Sequence, residues 1–164
     1  MIIETGNLVT GNYPIFCHQV NCRGVMGAGI AKQIKEQYPE VFKNYYRHCI
    51  TANYLLGTIL PVSTHDGRIC INMFAQDGYG RNGVYTDYEA FKKCLDEMAE
   101  KLNSMTYEAP FREKYGNIIS FPFKIGCGIA GGDWETILSL IQKFEKKIHK
   151  HWEVRIVQLP EESK

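Results

Sequence analysis

Apolar positions in this chain follow two rhythms: short runs, and stripes spaced by three and four. Ile2 and Ile3 form a run that ends at Gly6-Asn7, which predicts a strand closed by a turn. Ile15 to Val20 predicts a second strand, running into a glycine-rich stretch from Asn21 to Gly29. Ile30, Ala31 and Ile34 then recur at helical spacing, and Pro39 closes that helix. Val41, Phe42, Tyr45, Tyr46 and Cys49 extend the stripe into a second short helix. Thr58 to Val62 and Arg68 to Phe74 predict strands joined by a turn at His65-Asp66-Gly67.

Residues 77–85 hold three glycines and predict a surface loop. From about Thr86 a long helix carries Phe91, Leu95, Met98 and Leu102 on one face. Residues 103–116 have no clear period and are expected to be irregular and polar. Asn117 to Phe121 predicts a strand, and Pro122 to Gly132 a second glycine-rich loop. Asp133 suits the N-cap of a helix that buries Trp134, Ile137, Leu138, Ile141, Phe144 and Ile148. Val154 to Leu159 closes the chain as a strand. Strands alternating with helices predict a layered α/β domain.

At 164 residues the chain fits one domain that buries about two thirds of its unfolded surface. Nineteen basic residues against 18 acidic leave a formal charge of +1, which argues against a dedicated nucleic-acid binder. No apolar run approaches the roughly 18 residues that span a bilayer. Met1-Ile2-Ile3-Glu4 lacks the basic segment and apolar core of a signal peptide, so a soluble, cytoplasmic protein is expected. The six cysteines form no C-x-x-C pair and are expected as free thiols. No Cys or His pair has zinc-finger spacing, so no metal is expected.

The strongest chemical signal is a pair of glycine-rich loops at strand-to-helix junctions, Asn21 to Ala31 and Ile125 to Trp134. Glycine lets backbone N–H groups approach an anion, and a helix N-terminus adds positive potential. Two such loops could hold the two phosphates of one ligand. The first loop reads G-x-x-G-x-G rather than the Rossmann G-x-G-x-x-G, and no Gly-Lys-Ser/Thr occurs. A nucleotide diphosphate therefore calls for another fold.

Thr5-Gly6-Asn7-Leu8, His18-Gln19-Val20-Asn21 and Gly24-Val25-Met26-Gly27-Ala28-Gly29-Ile30-Ala31 together resemble the front half of a macro domain. Phe123 to Trp134 resembles that family's second phosphate loop, and the likeness runs from Ile3 to Leu159. It lies nearest the branch with the terminal ADP-ribose protein glycohydrolase and the yeast ADP-ribose-1″-phosphate phosphatase. The resemblance implies a three-layer α/β/α fold with a central mixed sheet and ADP-ribose in a cleft at the strand ends. By position it puts Gly6, Asn7 and Leu8 near the adenine. Asn21, Gly24, Val25, Met26, Gly27, Ala28, Gly29 and Ile30 would face the distal ribose, and Phe74 could pack nearby or equally belong to the core. Gly126, Cys127, Gly128, Ile129, Ala130 and Gly131 would cradle the diphosphate.

Several positions depart from the family pattern. Asn7 stands where many members carry Asp, and its amide oxygen could still accept a bond from the adenine amino group. Ala75 or Gln76 stands at the glycohydrolase lysine, Ala130 at its aspartate, and Gly29 at the aspartate of the other main hydrolase type. No covalent lysine mechanism is available to these side chains. His18 is the candidate general acid/base, against the plainer role of a strand histidine bonded beneath the site. Asn21 is the other candidate catalytic residue, as the amide that bonds the ribose hydroxyls and fixes the distal ribose for attack by water.

Asp133 has a plain role as helix cap; Trp134 could seal the core or stack on a ligand, and Cys127 could be a reactive thiol near a helix N-terminus or a small residue that lets the loop close. Lys124 and Arg81 could reach phosphate oxygens or be solvated, and loop 77–85 could act as a flap or be merely exposed. The expected function is hydrolysis of a small ADP-ribose derivative, ADP-ribose-1″-phosphate or O-acetyl-ADP-ribose, by a monomer needing no cofactor. The alternatives are a non-catalytic ADP-ribose reader and an ADP-ribosyl hydrolase with a non-standard site acting on a modified macromolecule.

Overall fold

The computed structural model describes residues 1–105 and 109–161. Its strands are β1 (Ile2–Thr5), β2 (Ile15–Val20), β3 (Ile59–Ser63), β4 (Ile69–Phe74), β5 (Ile118–Pro122) and β6 (Glu153–Gln158). Its helices are α1 (Gly29–Gln37), α2 (Pro39–Thr51), α3 (Tyr88–Met105), α4 (Ala109–Tyr115) and α5 (Trp134–Lys147). Pro39 opens α2 at a first-turn position, where its missing N–H costs nothing, and so separates it from α1. Residues 103–116, expected as irregular, contain the end of α3 and the seven-residue α4. The intervening residues 106–108 lie outside the described ones.

The strands form one sheet in the order β1-β6-β5-β2-β4-β3, parallel throughout except for the β3–β4 pair. Alternation along the central strands serves two cores. Phe16, Val20, Cys70 and Phe74 pack with Ile34, Val41 and Tyr45 of α1 and α2. Ile15, Cys17, Ile71 and Met73 pack on the other face with Phe91, Leu95 and Met98 of α3 and Ile137, Ile141 and Phe144 of α5. The result is the mixed-sheet α/β/α sandwich, covered on both faces as parallel strands require. Among the described residues no helix is long and apolar enough to cross a membrane.

The parallel strands all end at one edge of the sheet, where open α/β folds gather their ligand-binding loops. Across that edge stand, in order, the loops after β1, β6, β5, β2 and β4. All six cysteines are free, and Cys17, Cys70 and Cys94 are buried.

Candidate functional site

A cleft of about 740 Å³ opens along this edge, within the range of small-ligand sites. Of the residues singled out by sequence, Gly6, Asn7, Leu8, Asn21, Val25, Gly27, Ala28, Gly29, Ile30, Gly126, Gly128, Ile129 and Ala130 line it. His18, Gly24, Met26, Phe74, Cys127 and Gly131 do not.

The first glycine loop delivers donors through an unfinished helix. Ala28 is the N-cap of α1 and supplies no side-chain bond, so the first-turn N–H groups stay open where Gly29, Ile30 and Ala31 line the cleft. An uncapped N-terminus of this kind attracts an anion. The second loop works differently. Asp133 caps α5 by accepting from the Thr136 N–H at 3.0 Å, so one donor of that helix end is already spent and a carboxylate stands at it. The loop instead turns inward through Cys127 N–H to Lys124 O and Gly132 N–H to Gly126 O, each 2.9 Å. The N–H groups of Gly126, Gly128, Ile129 and Ala130 take no partner among the described residues. They form a concave row of donors suited to phosphate oxygens.

Asn21 holds the first loop in shape. Its Nδ2 donates to Val25 O at 2.8 Å, and its Oδ1 accepts from Arg23 N–H at 2.9 Å. The Tyr45 hydroxyl lies 2.7 Å from the same oxygen and accepts from Val25 N–H at 3.1 Å. Asn21 lines the cleft. Asn7 is similarly occupied: its Oδ1 accepts from Val9 N–H at 3.0 Å and Thr10 N–H at 3.1 Å. The oxygen expected to meet an adenine amino group is thus spent on a turn.

Two further expectations meet a different geometry. His18 lies at 0% exposure on the α1/α2 face of β2, with its Nε2 2.6 Å from Asn72 Oδ1. Burial lowers its pKa to about 4, only partly opposed by the Asn72 bond. It is sealed from the cleft and cannot pass a proton to a ligand there. Phe74 is equally buried, its ring stacked on Tyr45 at 5.8 Å, so it belongs to the core. Met26 is buried too, and Gly24 turns with φ 78° outside the cleft. The half-buried Cys127 thiol bonds Ile125 O at 3.3 Å, and burial with the nearby Asp133 charge pushes it up to about 11.

Three further elements complete the site; local sequence pointed to Gln76 and to loop 77–85 with Arg81, but not to the bonds of Gln19 or to Arg68. Gln19 lies at the end of β2, and its Nε2 donates to Gln76 Oε1 and to Thr86 Oγ1, both at 2.9 Å. Thr86 in turn donates to Gly126 O at 2.6 Å, which couples this network to the second loop. Of Ala75 and Gln76, Ala75 is fully buried and Gln76 faces the cleft, its Nε2 donating to Gly78 O at 2.8 Å. Arg68 anchors the loop after β1, with Nη2 to Leu8 O and Nη1 to Val9 O at 2.6 Å and Nε to Tyr13 O at 2.9 Å. Finally, Tyr79, Gly80 and Arg81 of the loop after β4 line the cleft at the end away from Gly6–Leu8. Among the described residues, Arg81 and Lys124 are the charged ones in the lining, and no carboxylate lines it.

Comparison with known proteins places this geometry. The macro domain family profile matches residues 17–141. A curated relative from Meyerozyma guilliermondii, named ADP-ribose 1″-phosphate phosphatase, is 27% identical over 152 residues, covering 82% of this chain and 86% of its own. One from Mycobacterium tuberculosis, named DNA ADP-ribosyl glycohydrolase, is 38% identical over 136 residues, 81% of this chain but 35% of the relative. Among solved structures, the macrodomain of Mycobacterium tuberculosis DarG superposes with TM-score 0.78 at 21% identity, covering 98% of this chain and 97% of its own. Thermosipho africanus DarTG in complex with ADP-ribose gives 0.73 at 19% identity, over 97% of this chain and 41% of that one. The chain belongs to the macro domain family.

Proposed function

We propose that the protein binds ADP-ribose along the cleft and hydrolyses a phosphate ester on the distal ribose, ADP-ribose-1″-phosphate. The observation that carries this is the make-up of the lining: two rows of open backbone N–H groups, two cations and no carboxylate. Such a surface suits a ligand with more negative charge than a diphosphate alone. The similarity to proteins named as phosphatases of that ester supports the same substrate.

In this reaction a water oxygen attacks phosphorus, the bond from phosphorus to O1″ breaks, and the hemiacetal oxygen takes the proton that water gives up. The products are ADP-ribose and inorganic phosphate, and no cofactor enters. The protein contributes position and charge stabilisation, since fixed N–H donors and cations in a partly dry cleft act strongly on developing negative charge. Hydrolysis of O-acetyl-ADP-ribose would use the same pocket. The free thiols suit a reducing compartment, and the proposal includes a cytoplasmic, monomeric protein.

A second reading is a module that binds ADP-ribose without turning it over. It is favoured by one fact: His18, the candidate acid/base, is sealed from the cleft, which offers no carboxylate in its place. Calorimetric titration with ADP-ribose, followed by an assay of phosphate release from ADP-ribose-1″-phosphate, separates the two. Binding with steady release supports the hydrolase; binding without release assigns the module; absence of binding removes both.

A further inference from the structure

The loop after β4 is fixed at both feet. At one foot, Cys22 N–H donates to Asp77 O at 3.0 Å, and the Asp77 carboxylate pairs with Arg23 at 3.0 Å. At the other, Tyr85 N–H and Thr86 N–H donate to Ala130 O at 2.7 and 3.2 Å. A Cβ on Gly131, whose φ is 75°, would stand 2.5 Å from Gly83 O, so the second phosphate loop passes flush beneath the flap. The flap therefore joins both glycine loops, and its tip carries Tyr79 and Arg81 into the lining of the cleft.

We infer that Arg81 is the specificity residue of the distal subsite, selecting an anionic phosphate ester on the distal ribose over a free hydroxyl or an acyl ester. This rests on the function proposed above and deepens it. Three observations carry it. Sheet order sets the flap, after β4, at the opposite end from Gly6–Leu8, after β1, with the two donor loops between. The cation at that end is unspent: Arg81 has no ion pair among the described residues, while the neighbouring Asp77 is committed to Arg23. The second lining cation, Lys124, follows β5 toward the other end and has its ammonium 5.6 Å from the Phe123 ring.

The chemistry of the ligand explains why a charge belongs there. A diphosphate can be held by backbone N–H groups, which are plentiful in the middle of the cleft. A phosphomonoester adds a charge of about −1.5 to −2 at neutral pH, and a guanidinium fork matches its oxygens two at a time. An acetyl ester or a hydroxyl offers Arg81 neither charge nor a paired set of oxygens.

The test compares ADP-ribose with its 1″-methylenephosphonate, which cannot be hydrolysed, by calorimetry on the wild type, Arg81→Gln and Arg81→Lys. The wild type is expected to prefer the phosphonate at least tenfold. Arg81→Gln should cut that preference about tenfold and leave ADP-ribose affinity within twofold, and Arg81→Lys should keep part of it. A preference unchanged in Arg81→Gln overturns the inference, and so does equal weakening of both ligands, which would assign Arg81 to the diphosphate. A wild type that binds neither ligand overturns the cleft and the inference together. Phosphonate selectivity without phosphate release from the natural ester would instead sink only the hydrolase.

Discussion

His18 Nε2 and Asn72 Oδ1 face each other at 2.6 Å across the paired strands β2 and β4, wholly inside the protein. The Asn72 amide is oriented by its own Nδ2, which donates to Leu60 O at 2.9 Å, so its oxygen must accept. His18 therefore carries its proton on Nε2, and its buried Nδ1 is a lone pair with no partner. A second proton would put an unpaired N–H and a charge in the core.

The consequence is a pH-dependent stability. His18 titrates near 6.5 in the unfolded chain and at about 4 in the folded one. Between those values the unfolded state binds more protons, so stability is full above about pH 6.5 and falls as the pH drops toward 4. From pH 7.5 to 5 the His18 contribution should be a loss of about 2 kcal/mol. Urea unfolding at the two pH values measures it. His18→Gln should show a smaller loss over that interval, and an identical loss would assign the effect to other groups.

Asn21→Ala should damage two properties together. The side chain bonds Val25 O, Arg23 N–H and the buried Tyr45 hydroxyl, so its removal strands one buried and two part-buried polar groups at a cost of about 1–3 kcal/mol. The loop it shapes would loosen, and ADP-ribose affinity should fall by about tenfold. Thermal unfolding and calorimetry on one preparation read both. Lost affinity at unchanged stability would mean that Asn21 acts through direct ligand contact rather than through the loop.

How much of this the sequence disclosed depends on the range of the interaction. The two glycine loops and the Asp133 cap were legible because glycine and N-cap residues act within a few positions of themselves. Helix α4 was not: Phe111 and Tyr115, with rings 4.8 Å apart, give one apolar repeat in seven residues, too little to display a period. The faces of His18 and Phe74 were hidden because β2 and β4 are covered on both sides, so alternation does not say which side meets the ligand. Gln19 and Arg68 gave no local signal at all. Gln19 meets Thr86 across 67 residues, and Arg68 meets Leu8 across 60.

Gly126 is a meeting point of two constraints. Its φ is 73°, and a Cβ would lie 2.6 Å from Gln19 Oε1 and 3.2 Å from Thr86 Oγ1. Gly126→Ala should lose about 1–2 kcal/mol to backbone conformation alone, and more to displacement of Gln19. ADP-ribose affinity should fall more than tenfold as the donor row tilts. Adding Gln19→Ala should restore part of the stability, and the double-mutant cycle measures the coupling. Strict additivity would show that Gln19 does not press on this loop.

Arg68 tests whether the end of the cleft proposed for adenine, lined by Gly6, Asn7 and Leu8, is set from beneath. Its guanidinium lies 3.9 Å over the Phe16 ring and bonds the carbonyls of Leu8, Val9 and Tyr13, with Tyr38 as a fourth acceptor at 2.8 Å. No lysine reproduces that fork, since an ammonium presents a point charge without fixed planar directions. Arg68→Lys should therefore free the loop after β1 while keeping the charge, at a stability cost of about 1–3 kcal/mol. The two ends of the cleft should respond unequally. Discrimination between ADP-ribose and its hypoxanthine analogue should weaken, because Asn7, Leu8 and Val9 face that end. The preference for a 1″-phosphonate over ADP-ribose, set by the far flap, should stay within twofold of wild type. Equal loss of both preferences would show that Arg68 supports the whole cleft rather than its adenine end.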